Sequence, residues 1–191
     1  MGIIKVPSPG ESDKIANLHL QSLKDGLLYR LGKDVLKIFY NELFSDKDSF
    51  IFADYTNGKI AGIAASSLDI DRIFSNIKRK NIFKMAYRIL LHSLKSPSIP
   101  FRLLLSKYST NIKPELVFLF VNPKKRGKKI GEKLVKATSE EFKRRKIKEY
   151  KITILASNSQ GINFYERLGF KKAGQYVFLG EKRDIYIYKI K

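Results

Sequence analysis

The seven residues Glu115 to Val121 read ELVFLFV, and Asn122-Pro123 closes the run before a basic turn that leads into an amphipathic stretch. An apolar run this short, ended by Asn-Pro, predicts a buried strand. Behind it, Gly127 to Arg145 places Ile130, Leu134, Ala137, Thr138 and Phe142 on one side, which predicts a helix. Where a strand turns into a helix, unpaired backbone N–H groups of the first helical turn converge, and glycine lets a ligand approach the backbone closely. Lys124, Lys125, Arg126, Lys128 and Lys129 add positive charge at that point. In outline this is a phosphate or pyrophosphate site, although neither GxxxxGK[ST] nor GxGxxG is present. A solvated basic helix start is the competing reading.

The rest of the chain supplies an αβ frame for this unit. Ile3 to Val6 reads as a short strand, Ser12 as the cap of a first helix, and Lys33 to Phe44 as a second helix with Val35, Leu36, Phe39, Tyr40 and Leu43 inward. Phe50 to Tyr55 and Lys59 to Ser66 flank Thr56-Asn57-Gly58, the signature of a tight hairpin. Asp69 to Leu94 has a helical pattern stopped by Pro97 and Pro100, and Phe101 to Leu105 is an apolar run of undecided state. After the basic helix come a strand at Tyr150 to Ala156, a short helix at Ser159 to Leu168 closed by Gly169, and strands at Gln175 to Leu179 and Asp184 to Ile190. With 191 residues, one domain over 1–191 is expected, carrying an insert at about 69–110.

Charge is concentrated. The chain carries 38 Lys and Arg against 18 Asp and Glu, a net +20. Lys124 to Lys151 contributes +9 of this and Asp71 to Lys107 another +8, so two segments hold nearly all of it and each should be asked what anion it meets. Cysteine is absent, which excludes disulfides, thiolate metal sites and a cysteine nucleophile. His19 and His92 lie on apolar helical faces without metal-ligand spacing, so they read as structural residues and no metal is expected. No apolar run reaches the length of a membrane span and the N-terminus lacks a signal-peptide core, so a cytoplasmic location is expected.

A second pattern sharpens the first. Asn158, Phe164, Tyr165, Gly169 and Phe170 stand at fixed offsets in LASNSQGINFYERLGF, after the strand that follows the basic helix. Together with Arg126-Gly127-Lys128-Lys129-Ile130-Gly131, this resembles the GCN5-related N-acetyltransferase (GNAT) family, whose acetyl-CoA motif is R/Q-x-x-G-x-G/A at the start of the long helix. The likeness covers roughly Glu115 to Gly174. It implies a central, mostly antiparallel twisted sheet with a splayed parallel strand pair, flanked by helices, and acetyl transfer from acetyl-CoA to a primary amine with CoA as product.

The resemblance also implies roles. The backbone amides of Arg126, Gly127, Lys128, Lys129, Ile130 and Gly131, with Glu132 just after them, would bind the pyrophosphate. Leu119, Phe120 and Val121 would present strand N–H and C=O groups to the pantetheine arm. The N–H of Phe120 or Val121 would serve as oxyanion donor. Asn158 would hydrogen-bond the pantetheine region, and Tyr165 would protonate the departing thiolate. Glu115, eleven positions ahead of Arg126, falls where histone-type members place a catalytic glutamate and would act as general base; an exposed strand-start residue is the other reading. Lys129 replaces the motif's first glycine, and a helical backbone there would accept lysine. Transfer would run in a ternary complex by proximity.

The acceptor is expected to be a small molecule, such as an amino sugar or sugar nucleotide, or a peptide. The basic insert would wall the acceptor side and favour an anionic acceptor, or it is a core helix with a solvated face, or it contacts an anionic membrane surface. The other class of function is a basic nucleic-acid- or membrane-binding protein on the same scaffold. No nucleic-acid-reading motif is visible, and specific nucleic-acid binding is not expected.

Overall fold

In the computed structural model, residues 2–24, 26–80, 111–178 and 180–191 are described. Seven strands form one sheet in the order β1-β2-β3-β4-β5-β7-β6. The elements run β1 (Ile3–Lys5), α1 (Ser12–Ser22), α2 (Gly26–Leu31), α3 (Lys33–Ser45), β2 (Ser49–Thr56), β3 (Lys59–Ser67) and α4 (Ile70–Lys80) in the first half. The second half runs β4 (Glu115–Val121), α5 (Ile130–Arg144), β5 (Glu149–Leu155), α6 (Ser159–Arg167), β6 (Lys171–Phe178) and β7 (Glu181–Lys189). Every neighbouring pair is antiparallel except β4 and β5. This is the mostly antiparallel sheet with one parallel pair that the family resemblance implies.

The apolar spacing of each helix decides which face of the sheet it covers. Ile15, Leu36, Phe39 and Tyr40 from α1 and α3 are fully buried against Ile51 and Ile63, with Ile73 of α4 and Phe120 of β4 completing that core. On the opposite face Leu134 and Phe142 of α5 pack on Tyr150 and Ile152, with Phe170 and Tyr186 beside them. Phe142 stacks on Tyr150 with ring centroids 4.6 Å apart, and Tyr150 meets Phe170 edge-on. The β2–β3 turn has Asn57 at φ 53° and Gly58 at φ 70°, the positive pair that Asn-Gly favours in a two-residue hairpin.

Several boundaries differ from the sequence reading. Ser12 is the first residue of α1 and not its cap; a single 3₁₀ turn at Pro9–Glu11 precedes it, where the Ser8 N–H donates to Glu11 Oε2 at 3.2 Å. Helix α2 was not anticipated, because six residues are too few to show periodicity. Helix α5 begins at Ile130 rather than Gly127, and β6 begins at Lys171, four residues before the predicted strand. Of the insert, Ile70–Lys80 is helical as expected. The expectations for 81–110, including His92, fall outside the described residues.

Candidate functional site

Strand β4 is hydrogen-bonded to β3 along its length but meets β5 at one residue pair, Glu115 and Lys151. There the Lys151 N–H donates to the Pro114 carbonyl at 2.9 Å. Beyond this root the two strands part. The backbone groups of β4 that would have bonded β5 are turned toward a gap, and Leu119, Phe120 and Val121 lie along it. A bulge accentuates the opening: Ala65 pairs with Phe118 and Ser66 with Leu116, which leaves Val117 as the extra residue. Val117 and Phe118 consequently pack to the same face of the sheet. Nothing in ELVFLFV marks the bulge, because every residue in the run is apolar after Glu115.

At the far end of β4, Asn122 Oδ1 accepts the Lys124 N–H at 3.0 Å and starts a 3₁₀ turn over Pro123–Lys125. The Arg126 backbone is extended, and its guanidinium donates to the Ser22 carbonyl at 3.1 Å, at the C-terminal end of α1. Gly127 has φ 77°, and the space where a Cβ would stand is open, so the backbone is uncovered on that side. Lys124, Lys128 and Lys129 are exposed, and none has an ion-pair partner among the described residues.

Lys129 requires a correction. It is the residue before the first helical turn, at φ 56° and ψ 18°, in the left-handed region rather than the helical conformation expected. The motif's glycine would take this conformation freely, whereas a lysine is strained there. The Lys133 N–H is the first to bond within the helix, to the Lys129 carbonyl, so the amides of Ile130, Gly131 and Glu132 point out of the N-terminus without helical partners. Ile130 turns its side chain into the core. Glu132 pairs with Arg167 at 2.8 Å and so ties α5 to α6. Gly131 makes a second tie, since a Cβ there would lie 3.2 Å from Phe164 Cζ.

Helix α6 carries the second motif. Asn158 Oδ1 accepts the Gly161 N–H at 2.9 Å, so this side chain caps α6 with its oxygen. Tyr165 lies between Phe164 and Phe170, with ring centroids 5.1 Å from each. Burial holds its hydroxyl well above the ordinary tyrosine range, so it stays protonated at neutral pH. Its hydroxyl has no hydrogen-bond partner among the described residues.

Glu115, at the root of the gap, is buried and not an exposed strand start. Its Oε2 lies 3.7 Å from Lys151 Nζ, and its Oε1 accepts from Thr153 Oγ1 at 3.2 Å. Burial pushes its carboxyl up to about 7, against the opposing pull of Lys151 and Thr153. Neither Lys151 nor Thr153 was singled out from the sequence. Both lie on the polar side of an alternating strand, KITIL, and only the pairing with β4 brings them to Glu115. His19 also enters the neighbourhood: it is buried, hydrogen-bonded through Nδ1 to the Tyr40 hydroxyl at 2.7 Å, and its ring sits 4.6 Å from Phe118 and 5.1 Å from Phe120. Among the described residues no group of three or more His, Asp or Glu is placed to hold a metal ion, and no helix is long and apolar enough to cross a membrane.

A parted parallel strand pair followed by a helix N-terminus with three outward amides defines a class, and the comparisons agree with it. Residues 105–179 match the acetyltransferase (GNAT) domain family. The whole fold is similar to the ribosomal-protein-S18-alanine N-acetyltransferase from Escherichia coli, at TM-score 0.64 and 15% identity, covering 100% of this chain and 95% of that one. It is similar to an N-acetyltransferase from Staphylococcus aureus Mu50, at TM-score 0.66 and 16% identity over 100% and 99% of the two chains. The PaiA N-acetyltransferase from Thermoplasma acidophilum, solved in complex with coenzyme A, matches at TM-score 0.64 and 17% identity over 99% of each chain. No curated protein sequence matches the chain. Residues 105–179 therefore match a GNAT acetyltransferase domain, and the whole chain has the fold of these N-acetyltransferases.

The residues present fit acetyl-CoA. Open space beside Gly127, the outward amides of Ile130 to Glu132 and the exposed lysines suit a pyrophosphate, and the uncovered edge of β4 suits an extended amide chain.

Proposed function

We propose that this enzyme acetylates the primary amine of a small molecule or peptide, with Glu115 as general base and Tyr165 as general acid. The observation that carries the reading is the parting of β4 from β5 after a single pair, with the buried carboxylate of Glu115 at that pair. Acetyl-CoA supplies an activated acyl carbon with a thiolate leaving group. The chain's residues do the rest. The amides of Gly127 to Gly131 and the lysines around them hold the pyrophosphate, the Arg126 N–H being given to the Pro123 carbonyl. Leu119 to Val121 align the pantetheine, and Asn158 contributes through the amide nitrogen its cap leaves over. A carboxylate that titrates near 7 is matched to removing a proton from an ammonium at neutral pH. The N–H of Phe120 or Val121 would receive the charge that develops on the acyl oxygen. Tyr165, kept protonated by burial, would return a proton to the thiolate.

The test is CoA release from acetyl-CoA with a panel of primary amines spanning cationic polyamines, amino sugars, nucleotide-linked amino sugars and peptides with free N-termini. The reading expects at least one amine to accelerate release, and expects Glu115→Gln and Tyr165→Phe to abolish the acceleration while acetyl-CoA still binds. Full activity in both variants would overturn these assignments. Failure of acetyl-CoA to raise the melting temperature would overturn the site itself and turn attention to RNA and anionic vesicles as partners of the basic surface.

A further inference from the structure

Lysine is rarely buried, and a buried ion pair is seldom the most stable filling of its volume, because desolvating two charges costs more than their attraction commonly returns. Lys151 is nonetheless one of the least exposed charged side chains described, with 4% of its side chain exposed opposite a Glu115 side chain at 7%. The two are the cross-strand partners of the one parallel pair. They therefore sit where the strands are still joined, at the base of the gap that opens above them. Glu115 and Lys151 share the sheet face that also presents Thr153, whose hydroxyl donates to the other carboxylate oxygen. Asp71 of α4 and Tyr176 of β6 also face Glu115, and Asp69, itself bound to Lys113 at 2.9 Å, faces Lys151 together with Asp71. The carboxylate of Asp71 opposes ionisation of Glu115. Lys151 is the cation that favours it.

We infer that Lys151 is a positioning residue for Glu115, its buried ammonium holding the carboxylate ionised and aimed from the root of the β4–β5 gap. This rests on the reading of Glu115 as base. Thr153 fixes one oxygen and Lys151 the other, so the carboxylate cannot rotate away. When Glu115 takes a proton, the ammonium keeps Asp69 and Asp71 but loses the carboxylate it is paired with, which favours return of the proton from Glu115 before the next turnover. The geometry asks for a cation at 151 and not for a lysine as filler: an apolar residue of similar length would fill the space and leave Glu115 neutral at pH 7.

The test has one arm that needs no acceptor. In the full chain labelled with ¹³C-glutamate, the Glu115 carboxyl resonance is identified by its loss in Glu115→Gln and titrated. A midpoint near 7 is expected in the parent chain. In Lys151→Met, or in Lys151→Gln if the methionine variant does not fold, the midpoint is expected to rise by about one to three pH units, while Lys151→Arg keeps it close to the parent value. An unmoved midpoint in a folded neutral variant overturns the inference, as does a parent midpoint above 9. The second arm is the pH dependence of kcat/KM with the best amine of the panel. Here the limb that Glu115→Gln removes moves upward in Lys151→Met with KM for acetyl-CoA unchanged, and Lys151→Arg restores it. If Glu115→Gln leaves that limb in place, the base assignment fails, and the titration still judges Lys151 separately.

Discussion

Two buried ionisable residues give the protein opposite responses to acid. Burial brings His19 down to about 4, so the folded chain keeps it neutral while the unfolded chain protonates it near its usual value of 6.5. A base depressed in the fold contributes stability that is present above 6.5 and lost as pH falls through 4. The shift corresponds to about 3 kcal/mol. Glu115 is raised from 4.5 to about 7, so it works in reverse: the fold is favoured while the carboxyl is neutral, and that advantage declines as pH rises from 4.5 through 7. Denaturant titrations of Glu115→Gln are expected to show the His19 loss between pH 6.5 and 4 undisguised, and adding His19→Asn should flatten the curve across that window. Lys129 makes a different residue-scale prediction. Glycine relieves the left-handed strain but loses more backbone freedom on folding, so Lys129→Gly should stabilise by up to about 1 kcal/mol in urea unfolding. The departure from the motif was legible in the sequence; that it lies in a left-handed cap was not, because helix boundaries depend on which amides find partners.

At the scale of elements, α5 and α6 are held together by the Glu132–Arg167 pair and by the contact of Gly131 with Phe164. The two sequence motifs are therefore one packed unit. Gly131→Val should push Phe164 aside and cost about 1–3 kcal/mol in thermal unfolding, while also weakening acetyl-CoA binding, because the same residue contributes an outward amide. Asn158→Ala removes the α6 cap and should cost about 1 kcal/mol, read from the melting temperature. The FY pair at 164 and 165 could be found by its spacing, since both residues lie on one short helix. Helix α2 could not, and neither could the bulge at Val117, since a register shift is a property of two strands and β4 shows only half of it.

For the whole molecule, the +20 charge and the exposed lysines of the turn before α5 make cofactor binding an electrostatic question. Acetyl-CoA at 100 times its Kd should stabilise the fold by about 2.7 kcal/mol, a rise of roughly 5–10 °C in Tm for a chain of this size. That rise should shrink as salt is raised from 50 to 500 mM, because exposed charges are screened. The sequence by itself determined the class of fold, the strand-turn-helix that faces an anion and the residues of both motifs, because apolar periodicity and turn chemistry are local and carry their own spacing. Only the tertiary structure decided that β4 and β5 part after one pair, that Glu115 is buried at that root, and that Lys151 and Thr153 stand against it. Those facts depend on the register between strands separated by an entire helix, and no local pattern in either strand encodes it.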